Sequence, residues 1–252
     1  MLLLATVLIP RHRFYTLLLL LNLGITVVGI GLPPAHQNLI RPGYMLMGLL
    51  LLLGLGRRPP SRLRGWRVYV FPVLGVTTLA FDLLWWVTPL KRFSGLPLLL
   101  MWICFVAIGV SRLVALLGKE RRVNWAVLQG ALAGYLLLGI TSGLLMTVLE
   151  TVHPGSFTSL HHQLPVVLRP TDVDRLMLDF TQLNYFAFEC LTTVGFGDIA
   201  PVSSWARVIS VGVAMVGPLY IAVVMGVLIS RLTASQTTKE VEEFEEQRDR
   251  LS

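Results

Sequence analysis

The chain has 252 residues, of which 54% are hydrophobic and 14% charged, and its mean hydropathy is +0.71. These values exclude an ordinary soluble domain and are typical of a protein that crosses a membrane several times. The net charge of +7 does not indicate nucleic-acid binding, because the basic residues cluster beside apolar runs, as membrane topology requires.

Six apolar runs are each close to the 20 or so residues that the hydrocarbon core requires. They lie at about 14–32, 39–56, 68–90, 96–117, 123–149 and 205–232. The apolar segment 1–9 is followed, not preceded, by Arg11 and Arg13, which is the reverse of a secretory signal. We therefore expect an interfacial lead-in to the first span.

The basic clusters predict the orientation of these spans. With an internal amino terminus, all three clusters lie on one side, whereas the short loops of the other side hold few basic residues. The clusters are Arg11/Arg13, Arg57/Arg58/Arg62/Arg64/Arg67 and Lys119/Arg121/Arg122, against Arg41, Lys91 and Arg92 opposite. This predicts a multi-pass protein of the plasma (cell inner) membrane with both termini in the cytoplasm, in contact with lipids.

The fourth run carries a single basic residue, Arg112. A voltage sensor needs several such charges, each contributing about 2.3 kcal/mol per 100 mV, so we expect weak voltage dependence or none. Asp82 is the only acidic residue before Glu120. We expect it to bind Arg112 or a backbone group, or to be protonated; the alternative is a residual sensor countercharge. Cys104 and Cys190 lie in separate predicted helices and indicate no disulfide framework.

The segment from Glu150 to Asp179 is predicted to be a long outer loop with three histidines, His153, His161 and His162. Metal binding or pH sensing is one interpretation, but the adjacent pair has poor ligand spacing, and a solvated loop is expected. Phe180 to Leu191 then predicts a short helix of about three turns.

After this helix comes Thr192-Thr193-Val194-Gly195-Phe196-Gly197-Asp198. Two alternating glycines allow alternating backbone handedness at little steric cost, so successive carbonyls can face one axis. A phosphate-binding loop would need a preceding strand, a following helix and usually a Lys, and the sequence around this run does not predict that combination. The run resembles the selectivity filter of the potassium-channel family, with Phe196 where many members have Tyr.

The stretch 123–234 resembles the small two-helix bacterial potassium channels, in register from Tyr185 to Ala222. The resemblance implies an all-α membrane protein with six spans, a re-entrant pore helix and a filter loop in each subunit of a homotetramer. It places the K⁺ ligands at Thr193, Val194, Gly195, Phe196 and Gly197, with Thr192 and Asp198 at the filter support and outer mouth.

The same resemblance assigns roles around the filter. Glu189 is expected to reach behind the filter and share a proton with Asp198. Tyr185 and Phe186 stand where those channels have two tryptophans, so the usual hydroxyl-to-indole bonds are unavailable. In the last span, Gly217 matches a gating hinge, Pro218 predicts a kink, and helical spacing places an apolar cavity lining below them at Ile221, Met225 and Ile229.

The expected organisation is four spans in 1–122, a pore domain in 123–234 and a short cytoplasmic tail in 235–252. The tail is acidic and helix-forming, and Val241, Phe244 and Leu251 could form a narrow stripe for a tetrameric bundle. The predicted function is a passive K⁺-selective channel whose partners are itself, lipids and K⁺, with no cofactor. The alternatives are a voltage-gated K⁺ channel with a degenerate sensor, or a non-conducting scaffold or transporter. No nucleophile motif predicts an enzyme.

Overall fold

The computed structural model describes residues 10–33, 36, 39–56, 67–87, 95–120, 124–158, 160, 172–231, 233 and 248. This part of the chain forms seven α-helices, and a π-helical turn, Ile221–Met225, continues the last of them toward Arg231. In chain order the helices are α1 Arg11–Gly31, α2 Arg41–Leu55, α3 Arg67–Val87, α4 Leu96–Leu117, α5 Trp125–Val152, α6 Asp172–Leu191 and α7 Ser204–Tyr220.

Four of the described helices are long and apolar enough to cross a membrane. They are His12–Gly31, Leu96–Leu117, Trp125–Val152 and Ser204–Arg231. The apolar helices Arg41–Leu55 and Tyr69–Trp85 are shorter. The structure is therefore an all-helical one that suits a membrane protein, while the number of six spans stays a prediction.

Helix α5 lies at the centre of the subunit. Helices α1, α4 and α6 all pack against it, and Leu137 and Ile140 on α5 are buried almost completely. Small residues let its neighbours approach closely: the Gly143 backbone lies against Asn184 of α6, and Gly130 lies against Tyr15 of α1. Such small-residue contacts are how helices pack where both lipid and protein interior are apolar.

The predicted bounds of the outer loop and of the following helix were wrong. Helix α5 continues to Val152 and α6 already begins at Asp172, so α6 has 20 residues instead of three turns. A search for apolar runs misses the first half of α6, because acidic residues there alternate with apolar ones. Acidic residues suit a helix amino terminus, and Leu178 is buried, so packing and end charge both favour the longer helix.

Of the alternatives predicted for Asp82, the contact with Arg112 was wrong, and its partner is a side chain that none of them named. Asp82 is buried and pairs with Arg41, whose Nη2 lies 2.8 Å from Asp82 Oδ1. Arg112 instead lies over the ring of Phe71, with its guanidinium carbon 4.5 Å from the ring centroid, and donates to the Leu55 carbonyl at 3.4 Å. Each of these two buried charges is therefore stabilised by residues of another helix, and the sequence alone does not reveal which helix that is.

Several predicted features lie outside the described residues. They are the lead-in 1–9, the basic residues Arg57, Arg58, Arg62, Arg64, Lys91, Arg92, Arg121 and Arg122, the paired histidines His161 and His162, and the tail 235–252 apart from Arg248.

Candidate functional site

The carboxyl end of α6 leads directly into the glycine-rich run. The Val194 amide donates to the Glu189 carbonyl and the Thr193 amide donates to the Cys190 carbonyl, both at 3.0 Å. Thr193 has a positive φ of 59°. This combination is a Schellman cap with Thr193 as its left-handed residue, a position usually held by glycine. The first residue of the predicted filter is therefore also the left-handed residue of the cap that follows α6.

The backbone alternates in handedness through the following residues. Among the described residues from 193 to 197, φ is positive at Thr193 (59°), Gly195 (58°) and Gly197 (83°), but not at Val194 or Phe196. Glycine adopts such angles without a steric penalty, whereas a residue with a side chain loses about 1–2 kcal/mol. The helix cap thus stabilises Thr193 in an unfavourable conformation, and the alternation allows successive carbonyls to face one side.

Residues 193–198 belong to neither a helix nor a β-strand; we call this segment the exposed strand, because all of its residues are exposed within the subunit. Val194 is 54% exposed and Phe196 is 72% exposed, and burial resumes only at Ile199. Exposed apolar side chains beside a backbone that is strained at Thr193 indicate a surface that serves an interaction.

Beyond this strand, the chain is tied to the loop that follows α5. The Thr158 amide donates to the Ala200 carbonyl at 2.9 Å, and the Val202 amide donates to the Ser156 carbonyl at 2.8 Å. The Ala200 amide donates to Thr158 Oγ1 at 2.9 Å. We call residues 156–158 and 200–203 the outer clip, because these bonds hold the two segments together.

Glu150, at the end of α5, supports the outer clip. Its carboxylate is buried and accepts from the Gly155 amide at 2.7 Å and from the Phe157 amide at 3.2 Å. The Phe157 ring packs edge-on against Phe186 of α6, with centroids 5.6 Å apart. The sequence did not lead us to predict a role for Glu150. A charged residue at the end of a long apolar run is the pattern that could have indicated one.

Glu189 lies behind the strand and is buried, whereas Asp198 at the far end of the strand is exposed. Neither carboxyl oxygen of Glu189 has a partner at hydrogen-bond distance among the described residues. Burial raises the pKa of Glu189, the hydroxyl of neighbouring Tyr185 lowers it, and the negative charge of Asp198 raises it, with a net upward shift. The structure thus brings Tyr185, Glu189 and Asp198 together, while the shared proton stays a prediction.

The carboxyl end of α6 is held against both α5 and α7. The Tyr135 hydroxyl of α5 donates to the Leu191 carbonyl at 3.1 Å. Gly217 of α7 lies so close that a Cβ atom there would collide with the same carbonyl oxygen. Gly217 therefore has a packing role, a close approach of two backbones, whereas its role as a hinge stays a prediction.

The predicted kink in the last span coincides with a local change of helix type. Pro218 provides no amide hydrogen, and the π-helical turn Ile221–Met225 begins three residues later. Such turns commonly accompany kinks and functional positions in helices. Ile221 and Ile229 are about half exposed, but Met225 is partly buried against the core, so the three predicted lining residues differ in their exposure within the subunit.

Residues 156–234 match a family model described as an ion channel. The matched segment contains the outer clip, α6, the exposed strand and α7, and it lies inside the predicted pore domain 123–234. No match was found among curated proteins or among solved structures. An ion channel conducts ions passively and is not an enzyme, and the apolar helices suit such a protein. The match, over this part of the chain, supports an ion channel family.

Proposed function

We propose that this chain is one subunit of a K⁺-selective channel whose filter is formed by residues 193–197 of four copies. The observation that carries the proposal is the alternation of φ at Thr193, Gly195 and Gly197 in an exposed strand between α6 and α7. Carbonyl oxygens turned to one side can replace the water shell of a permeant K⁺ ion. The Thr193 hydroxyl adds a further acceptor at the inner end.

Charge at the mouth of the strand favours cations. Asp198 is exposed at the outer end, and four copies would form an anionic ring that raises the local cation concentration. Thr192 supports the inner end, since its hydroxyl donates to the Phe188 carbonyl of α6 at 2.7 Å.

The homotetramer in this proposal is supported by the surface that one subunit leaves uncovered. One chain supplies one strand, and ligands must surround an ion, so several copies are needed. Apolar side chains of α7 with exposed fractions of 59–67% would contact neighbouring subunits, lipid or the pore: Trp205, Val208, Val211, Met215 and Leu219.

Voltage dependence is expected to be weak. If Arg112 crossed the whole field in four subunits, it would contribute about 9 kcal/mol per 100 mV, against about 28–37 for three to four charges in each subunit. Its contacts with Phe71 and Leu55 hold it in place. The alternative, a voltage-gated K⁺ channel with a degenerate sensor, requires a steep conductance–voltage curve that flattens in Arg112→Gln.

Recordings in planar bilayers under asymmetric K⁺ and Na⁺ test the proposal. The reversal potential should approach the K⁺ equilibrium value. Gly195→Ala should abolish selective currents, because alanine is unfavourable at a φ of +58°, whereas Gly212→Ala has nothing within 4 Å of its Cβ and should retain them.

A reversal potential near zero in recordings with clear single-channel openings would contradict K⁺ selectivity. Absence of any current from correctly assembled tetramers would instead favour the non-conducting scaffold. The proposal places the protein in the plasma membrane, with both termini in the cytoplasm.

A further inference from the structure

An apolar cavity lies where the peripheral helices meet α6. Its enclosed part has a volume of about 80 Å³, its mouth is open, and helices α2 to α6 all contribute to its wall. Mostly apolar pockets with a few polar groups are typical ligand sites, often between the helices of a bundle. We call this space the junction cavity; its apolar lining includes Met47, Leu98, Leu99, Trp102, Ile140 and Leu144.

One part of the junction cavity wall is polar. Arg41 and Asp82 both line it, with side-chain exposures of 14% and 5%, and their 2.8 Å contact joins Nη2 to Oδ1. A guanidinium has five N–H donors. Among the described residues, Asp82 is the only hydrogen-bond partner of the Arg41 side chain. Arg41 therefore keeps donors for an acceptor that enters the cavity.

The charges of this wall select the kind of acceptor. Asp82 already balances Arg41, so the pair has no net charge that would offset the desolvation cost of a carboxylate, phosphate or ammonium group in an apolar cavity. A neutral carbonyl oxygen avoids most of that cost and satisfies a buried donor. The long apolar wall then requires an apolar chain attached to that carbonyl.

We propose that the junction cavity binds the neutral acyl-ester end of a membrane lipid. The ester carbonyl accepts a hydrogen bond from Arg41, and the acyl chain lies along Leu98, Leu99 and Ile140. Two sources supply this chemistry, a free monoacylglycerol and the ester group of a bilayer phospholipid.

The bound chain would contact both halves of the subunit. Leu176, Met177 and Phe180 of α6 line the same cavity, and Tyr44 of α2 packs edge-on against Phe180, with ring centroids 5.3 Å apart. Since the far end of α6 begins the exposed strand, the ligand lies between the peripheral helices and the helix that positions this strand. An effect of the ligand on conduction rests on the proposed function, whereas its binding does not.

Photolabelling of the purified full-length protein tests the binding. The protein is placed in nanodiscs of diether phospholipid, which has no ester carbonyl, and is labelled with three probes that carry a diazirine in a chain of equal length. The probes are a monoacylglycerol, a fatty acid and an alkane. Mass spectrometry should find the monoacylglycerol on the cavity residues about ten-fold more than the alkane, with the fatty acid weaker than the monoacylglycerol.

Nanodiscs of diester phospholipid distinguish the two sources. Loss of monoacylglycerol labelling there identifies the phospholipid ester as the natural occupant, whereas unchanged labelling identifies a free monoacyl lipid.

Variants separate the polar contact from the cavity itself. Arg41→Met combined with Asp82→Leu replaces the buried pair by apolar residues, a change that helical proteins often tolerate. It should remove the ten-fold preference over the alkane, a difference of about 1.4 kcal/mol, while the alkane still binds. Arg41→Lys keeps the ion pair but not the guanidinium donors, and should lower the preference without disturbing the fold.

Leu99→Trp should block all three probes by filling the cavity. Leu100→Trp, on a neighbouring side chain that is 46% exposed, is the matched control and should leave labelling unchanged. Equal labelling of the cavity residues and of the exposed face at Leu100, or labelling that Leu99→Trp does not reduce, would overturn the site. A preference that survives both pair variants would overturn the role of Arg41. These readouts need no current, so they stand apart from the test of conduction.

Discussion

Helices α5 and α7 are similar in length and hydropathy but lie in opposite environments. With the turn that continues α7, each apolar helix has 28 residues, and their hydropathies are 1.9 and 2.3. In α5, 56% of the most apolar stretch is buried within the subunit, against 17% in α7. One apolar helix thus forms the centre of the subunit, whereas the other leaves most of its surface uncovered within the subunit.

The difference shows that hydropathy measures exclusion from water and does not identify what covers a helix. In α5, apolar side chains are enclosed by α1, α4 and α6. In α7, the contacts that are fixed within the subunit are few and specific, such as the approach of Gly217 to Leu191. Substitutions in the two helices should therefore affect different properties.

The largest effect is expected at Gly217, where α7 touches α6. Gly217→Ala should displace α7, because its Cβ meets the Leu191 carbonyl oxygen, which belongs to the backbone and moves only with the helix. We expect loss of most folded tetramer in size-exclusion chromatography and loss of K⁺ flux in liposomes. Gly212→Ala, whose Cβ atom meets nothing within the subunit, should leave the packing of α7 on α6 intact and the subunit folded. Normal assembly of Gly217→Ala would show that this contact is not required.

The second-largest effect is expected when a core residue of α5 is truncated. Leu137 is fully buried within the subunit, and Leu137→Ala should lower the free energy of unfolding by about 2–5 kcal/mol through the cavity it leaves. Val211 of α7 is 60% exposed, so Val211→Ala should leave subunit unfolding unchanged and weaken only tetramer formation. Unfolding in mixed detergent–SDS micelles and chemical cross-linking measure the two properties. Equal losses of subunit stability would remove the contrast between the helices.

Substitution of Glu150, at the end of α5, tests whether this carboxylate stabilises the outer clip. Glu150→Ala leaves the amides of Gly155 and Phe157 without their acceptor, at a cost of about 1–3 kcal/mol. Hydrogen exchange of these amides and of Val202 should become faster. Thr151→Val, which loses only a bond to the Thr147 carbonyl, should leave exchange in the clip unchanged. Slow exchange in Glu150→Ala would show that the clip does not depend on this carboxylate.

The smallest effect on stability is expected from Glu189, and it depends on pH. Because the pKa of Glu189 is raised above its ordinary value of 4.5, the folded protein binds this proton more tightly than the unfolded chain. Stability should therefore be highest below about pH 4.5 and fall as pH rises through the raised pKa. Glu189→Gln should flatten this dependence in thermal unfolding measured at several pH values.

Glu189→Gln and Asp198→Asn should each alter open probability or inactivation but leave the K⁺/Na⁺ reversal potential unchanged, because the carbonyl groups are intact. The double variant should show non-additive effects, as for neighbours that interact. Strictly additive effects would contradict a shared proton.

Much of the local structure could be predicted from residue types. Apolar runs predicted helices, Gly195 and Gly197 predicted left-handed backbone, and Pro218 predicted an irregular helix; φ is positive at both glycines, and a π-helical turn follows Pro218. These features depend on neighbours within a few residues, so composition and spacing suffice to indicate them. The conformation of Thr193 was harder to predict, because a β-branched residue adopts a positive φ only where another interaction, here the cap of α6, stabilises it.

The contacts between distant residues could not be predicted. Asp82 binds Arg41 and not Arg112, Glu150 accepts from the outer clip, and the Tyr135 hydroxyl reaches Leu191 of α6. Each pairing depends on which helices are neighbours, and apolar helices with similar faces do not specify their neighbours. The first half of α6 was missed for a related reason, since its apolar residues are recognisable only by what they pack against.

Residue types and their spacing were enough to predict that the chain is helical and apolar enough for a membrane, and which residues form the glycine-rich strand, because chain stiffness and water exclusion act locally. Three-dimensional packing was needed to reveal that α5 is enclosed while α7 is left exposed, that Arg41 and Asp82 pair in the junction cavity wall, and that Gly217 meets the end of α6. Lipid and protein interior are equally apolar, so packing, not hydropathy, assigns each helix its neighbours.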